Sequence, residues 1–153
     1  MMSGYRGLFV AAVLIAQLAS VPVARAACSI TIAAPAQNAQ VGETTSVSGT
    51  ASEIGAGNRL WLLAHRKDIG LWWPQGGGSI DLDTAGKWTA IVFIGVARDV
   101  GQPFEITARA FADTENKILE QWVQKTGATG QYPGIPMPRW LPDCGQATVV
   151  VTR

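Results

Sequence analysis

His65 is the only histidine in the 153-residue chain. A histidine-based hydrolytic centre would need it to meet a Ser, Thr or Cys in space, with a carboxylate behind to orient the ring. No Gly-x-Ser-x-Gly elbow is present to raise such a nucleophile. One histidine also excludes a histidine-built metal site. His65 closes an apolar run and reads as a strand-end residue without catalytic duty. Acidic residues offer two further constellations. Asp81-Leu82-Asp83-Thr84-Ala85-Gly86 places carboxylates on alternate positions beside a glycine, like half a calcium loop. The third acidic ligand and the distal Glu of such a loop are missing, and a turn leading into Trp88 explains the same residues. Asp68, Asp81, Asp83 or Asp99 could supply a carboxylate pair for glycoside hydrolysis, but sequence alone pairs none of them. No cofactor and no metal are implied.

The tryptophans say more. There are six, and Trp61, Trp88 and Trp122 sit in apolar patterns where core packing is the default. Trp72-Trp73-Pro74-Gln75-Gly76-Gly77-Gly78 differs. Adjacent strand residues point to opposite faces, so Trp72 and Trp73 cannot share one core layer. One of them belongs at the surface or under a loop, next to a glycine run that leaves it uncovered. Exposed aromatic faces beside small polar groups suit stacking on sugar rings or capture of a peptide. Trp72 and Trp73, with Gln75, Arg66 and Lys67 at the rim, form the candidate ligand surface. In the competing arrangement both rings are buried, one in the core and one beneath the later proline loop with Tyr132 and Trp140.

The elements that must hold this surface begin after a leader. A positive n-region ending at Arg6 precedes the uncharged run Gly7 to Val21, and Ala24-Arg25-Ala26 supplies small residues for cleavage after Ala26 or Ala27. That run is shorter than the roughly 20 apolar residues a membrane span needs, so residues 1–26 read as a secretory signal peptide and 27–153 as one exported domain with no membrane attachment. Loss of Arg6 and Arg25 takes the formal charge from +1 to about −1, which leaves no cationic footprint for nucleic acid or anionic lipid.

Cys28 and Cys144 bracket the domain. In an oxidising compartment an even pair is read as a disulfide, joining the first strand to the last. The rival is a lipoprotein signal with Cys28 acylated, against which Arg25 stands where such signals carry an aliphatic residue.

Between the cysteines, short runs of period-2 alternation are broken by Gly and Pro. Strands are predicted over Ser29–Ala33, Glu43–Ala51, Arg59–His65, Lys87–Ile94, Pro103–Phe111 and Gln146–Thr152, with shorter ones at Leu71–Gln75 and Ser79–Leu82. Arg59–His65 and Lys87–Ile94 are apolar on both faces, as central strands are. Asp113–Gln124 departs from the pattern. Ile118, Leu119, Trp122 and Val123 form one stripe at helical spacing, with Asp113 or Thr114 as cap and Gly127 at the end. The proline-punctuated segment Gly130 to Pro138 follows as an extended loop.

Leu60-Trp61-Leu62, Trp73-Pro74-Gln75, Asp99-x-Gly101-x-x-Phe104-Glu105-Ile106, the helix and Tyr132-Pro133-Gly134-Ile135-Pro136 together resemble bacterial extracytoplasmic immunoglobulin-like or fibronectin-like modules. The resemblance implies a mainly β, antiparallel immunoglobulin-like sandwich with one short helix in the C-terminal third, and carries over no catalytic residue. The reading is a non-catalytic binding module of the cell envelope or periplasm, holding a glycan, peptide or protein partner. The alternative is a small secreted hydrolase acting on cell-wall material through His65 or a carboxylate pair.

Overall fold

A computed structural model describes residues 27–142 and 144–153; the leader read over residues 1–26 lies outside the described residues. Eight strands and one helix follow in order: β1 Ser29–Ala34, β2 Ala39–Gln40, β3 Thr44–Ser52, β4 Arg59–Arg66, β5 Trp72–Pro74, β6 Lys87–Phe93, β7 Pro103–Phe111, α1 Asp113–Thr129 and β8 Ala147–Thr152. They form a three-stranded antiparallel sheet, β1-β3-β6, and a five-stranded sheet, β2-β8-β7-β4-β5. The larger sheet is mixed, because the two-residue β2 runs parallel to β8 while its other pairings are antiparallel. The described residues are therefore mainly β with one α-helix. Two residues carry no alternation, so this parallel edge has no signature in the sequence.

Strand β4 shows why the sheets sit as they do. Leu60, Leu62 and Ala64 face the space between the sheets, where they meet Ile106, Ala108 and Ala110 of β7 and Val47, Trp88 and Val92 of the smaller sheet. Trp61 and Leu63 face the other way, into a second cluster with Phe111 and Leu119. Apolar residues on both faces mark a strand covered on both sides, and here the second cover is α1. For β6 the same expectation fails. Trp88 and Val92 are buried, but Ile91 and Phe93 are exposed, because β6 is an edge strand with only its inner face covered.

The helix is longer than predicted. It starts after Ala112 without a side-chain cap and ends at Gly130, whose φ of 66° closes it in the left-handed region. Its buried stripe is Asn116, Leu119 and Thr126, with Trp122 and Val123 half-buried, whereas Ile118 is 53% exposed. Cys28 and Cys144 form a disulfide across a separation of 116 residues, with Cα atoms 4.7 Å apart. Closing a loop of that length is worth about 4–5 kcal/mol in the chain-entropy account. None of the described helices is long and apolar enough to cross a membrane.

Candidate functional site

The three residues of β5 and the loop after α1 build one aromatic edge. The loop lies antiparallel to β5, with Trp72 and Ile135 exchanging both backbone bonds at 2.8 Å. Trp72 pairs with His65 across β4, and the two rings stack at 4.4 Å with planes 17° apart. That side of Trp72 joins the second cluster. Trp73 points the opposite way, as strand pleating requires, and its indole N–H donates to the Tyr132 carbonyl at 2.9 Å. Gly134 lies against this ring so closely that a Cβ there would come within 2.7 Å of it. Trp122 reaches the same turn from α1, its indole N–H donating to the Pro133 carbonyl at 3.0 Å and its ring 6.0 Å from that of Tyr132. Tyr132 is 58% exposed, while Trp72, Trp73 and Trp122 are half-buried.

So Trp72 and Trp73 take opposite faces, neither fully buried nor fully exposed, and Trp73 shares the proline loop with Tyr132. Trp140 lies elsewhere, over Arg109. The glycine run, with Gly77, Gly78 and Ser79, faces Glu120, Val123 and Gln124 of α1 across a shallow groove of about 330 Å³.

The predicted rim residues divide. Gln75 is only 7% exposed. Its Oε1 accepts from the Phe93 N–H at 2.8 Å and its Nε2 donates to the Trp73 carbonyl at 3.2 Å, so it joins β5 to β6 of the other sheet rather than facing a ligand. Arg66 is spent in an ion-pair fork. Nε and Nη2 hold Asp68 at 2.6 and 2.9 Å, and Nη1 holds Asp99 at 2.8 Å. Asp99 is 7% exposed and its other oxygen accepts the Val96 N–H at 2.8 Å. That backbone bond first, then Arg66, holds the Asp99 carboxyl below the ordinary carboxylate range. Lys67 is exposed in the turn after β4.

The acidic half-loop is a turn. Asp83 Oδ1 accepts the N–H groups of Ala85 and Lys87, both at 2.8 Å, and no group of three metal-ligating side chains occurs among the described residues.

A third set of side chains lies on the outer face of β7 and the adjoining β4. His65 Nδ1 lies 2.9 Å from the Leu71 carbonyl, which makes it the protonated nitrogen. Nε2 is 3.8 Å from Glu105. Further along the face, the buried Thr107 hydroxyl donates to the Ala147 carbonyl at 3.1 Å and accepts from Arg109 Nε at 3.2 Å. The Arg109 guanidinium lies 3.9 Å beneath the ring of Trp140. Alternation in Pro103–Phe111 put Glu105, Thr107 and Arg109 on one face, but nothing local signalled that a loop 30 residues on would roof it.

The chain matches no protein-family model, and comparison with curated proteins finds no match.

Proposed function

We propose that this chain is an exported, immunoglobulin-like binding module, and that it holds a glycan of the cell envelope on the aromatic surface formed by Trp73, Tyr132 and Trp122. One observation carries the reading: three aromatic side chains from three separate segments converge on the turn Tyr132-Pro133-Gly134, and both indole N–H groups are already bonded to that turn. What remains to offer a ligand is ring face, and Tyr132 presents most of it. Flat apolar faces fixed on a stiff proline turn stack on the C–H faces of a pyranose and lose little side-chain entropy in doing so. Ser79, Glu120 and Gln124 supply hydrogen-bonding groups in the groove on the other flank of α1.

The leader pattern and the cysteine pair support export, and two sheets packed through a common apolar core support the sandwich. A hydrolase would have His65 and Glu105 to work with. His65 is stacked under Trp72 and committed to Leu71, and the neighbouring Thr107 hydroxyl is committed to Ala147, which favours the binding reading.

The test is co-sedimentation of the purified protein with insoluble peptidoglycan and polysaccharides, beside Tyr132→Ala and Trp73→Ala variants shown to be folded by circular dichroism. Retention of wild type and at least tenfold weaker retention of folded Tyr132→Ala is expected. Wild type that stays in the supernatant rejects the glycan assignment, and undiminished retention of both folded variants rejects this surface.

A further inference from the structure

We infer that Arg109, roofed by Trp140, is a second binding site, and that its ligand is a carboxylate. Arg109 lies on the outer face of the larger sheet, between Trp61 of β4 and the start of β8. Its Nε is used by Thr107 and its plane by the Trp140 ring. Its Nη1 is buried with no hydrogen-bond partner, and Arg109 makes no ion pair among the described residues. A partly desolvated guanidinium with one N–H group buried and unpaired, and no carboxylate against it, gains from an acceptor that supplies the missing charge. Burial accordingly pushes the Arg109 group below its ordinary value, with Glu105 opposing the shift. Two other arginines show the pairing that Arg109 lacks: Arg66 holds two carboxylates and Arg153 holds Glu43.

The chemistry of the surroundings selects the ligand. A guanidinium fork matches the two oxygens of a carboxylate in one plane. Glu105 stands four residues before Arg109 on the same strand face, so a dianion such as phosphate meets more repulsion than a monoanion does. Thr148, exposed on β8, shares a 3.0 Å hydroxyl contact with Thr107, the residue that holds Arg109 Nε. The site is separate from the Tyr132 turn, and its test does not depend on glycan binding.

The experiment follows thermal unfolding of the full protein in sodium acetate against sodium chloride of equal ionic strength at pH 7, with Arg109→Met and Arg109→Lys alongside. Binding stabilises the folded state by mass action, so wild type should melt roughly 3 °C higher in an acetate concentration ten times the dissociation constant. Arg109→Met should show no difference between the salts, and Arg109→Lys less than half the wild-type shift. Tyr132→Ala should keep the full shift, which separates this site from the aromatic turn. If wild type melts alike in both salts, or Arg109→Met responds as wild type does, the site falls. A larger shift in phosphate than in acetate overturns the carboxylate assignment. Should Arg109→Met not fold, the wild-type Arg109 Nε–H and Trp140 indole N–H resonances decide: both must move with acetate, and their immobility rejects the proposal.

Discussion

The two apolar clusters are fed by the same strand and built on different terms. Between the sheets, Leu60, Leu62 and Ala64 meet mainly aliphatic neighbours, and none of these three side chains carries a polar atom. Under α1, Trp61 brings a polar atom inside. Its indole N–H donates to Asn116 Oδ1 at 2.8 Å, and Asn116 Nδ2 donates to Glu120 at 2.9 Å. The outer cluster is small, and its buried members are Trp61, Leu63, Phe111 and Leu119. It fixes the helix by direction as well as by burial. An apolar contact tolerates sliding, whereas a buried hydrogen bond between α1 and β4 permits one register.

The largest expected effect tests that difference. Trp61→Ala should cost about 3–5 kcal/mol by lost burial, and it also strands Asn116; Leu62→Ala, on the other face, should cost about 2–5 kcal/mol with no polar group orphaned. Urea denaturation measures both. A second substitution separates the terms: Asn116→Ala should be much less damaging in a Trp61→Phe background than in wild type, because the hydrogen bond is already gone. Additive costs would mean that the helix is held by burial alone. Next in size is the disulfide. Cys28→Ala with Cys144→Ala should cost about 2–5 kcal/mol, and because Cys144 belongs to the inter-sheet core, the loss should loosen that core before the outer cluster. Hydrogen exchange at Val149 against Leu119 would show the reverse order if this is wrong.

Asp99 lies outside both clusters and serves as a control. Its folded pKa is depressed, so the stability it contributes is complete above the ordinary value near 3.8 and disappears as pH falls through the lower folded value. Asp99→Asn should therefore lower the melting temperature at pH 6 and flatten the wild-type decline below pH 4. An unchanged acid limb would remove Asp99 from the account. The smallest effect is expected at Ile118→Ser, within about 0.5 kcal/mol, since that side chain is exposed despite its place in an apolar stripe.

How much of this was legible turns on distance along the chain. The alternation in Pro103–Phe111 reads off directly, because period-2 patterning is local, and the buried positions Phe104, Ile106, Ala108 and Ala110 fall where it puts them. Trp72 and Trp73 on opposite faces follow from strand geometry alone. Gln75 could not be read, since its role depends on Phe93, 18 residues away. Nor could Asn116, whose partner Trp61 is 55 residues distant. Ile118 lies off the buried stripe, whose centre is set by Leu119 against β4 and by the Trp61 bond to Asn116. The aromatic turn was half visible: its residues stood out by type, but their convergence required the loop to fold back along β5.

The disulfide has a mechanical consequence. Tension applied between residue 27 and Arg153 would enter at Cys28, cross the sulfur bridge to Cys144 and leave along β8. The 116-residue separation between the cysteines stays outside the path of the load. Only the final strand, hydrogen-bonded to β7 and β2, can be drawn out, so a stretched copy should lengthen by a few nanometres at about 3.4 Å per freed residue. Reduction would release the rest, converting a short, stiff link into a long, compliant one.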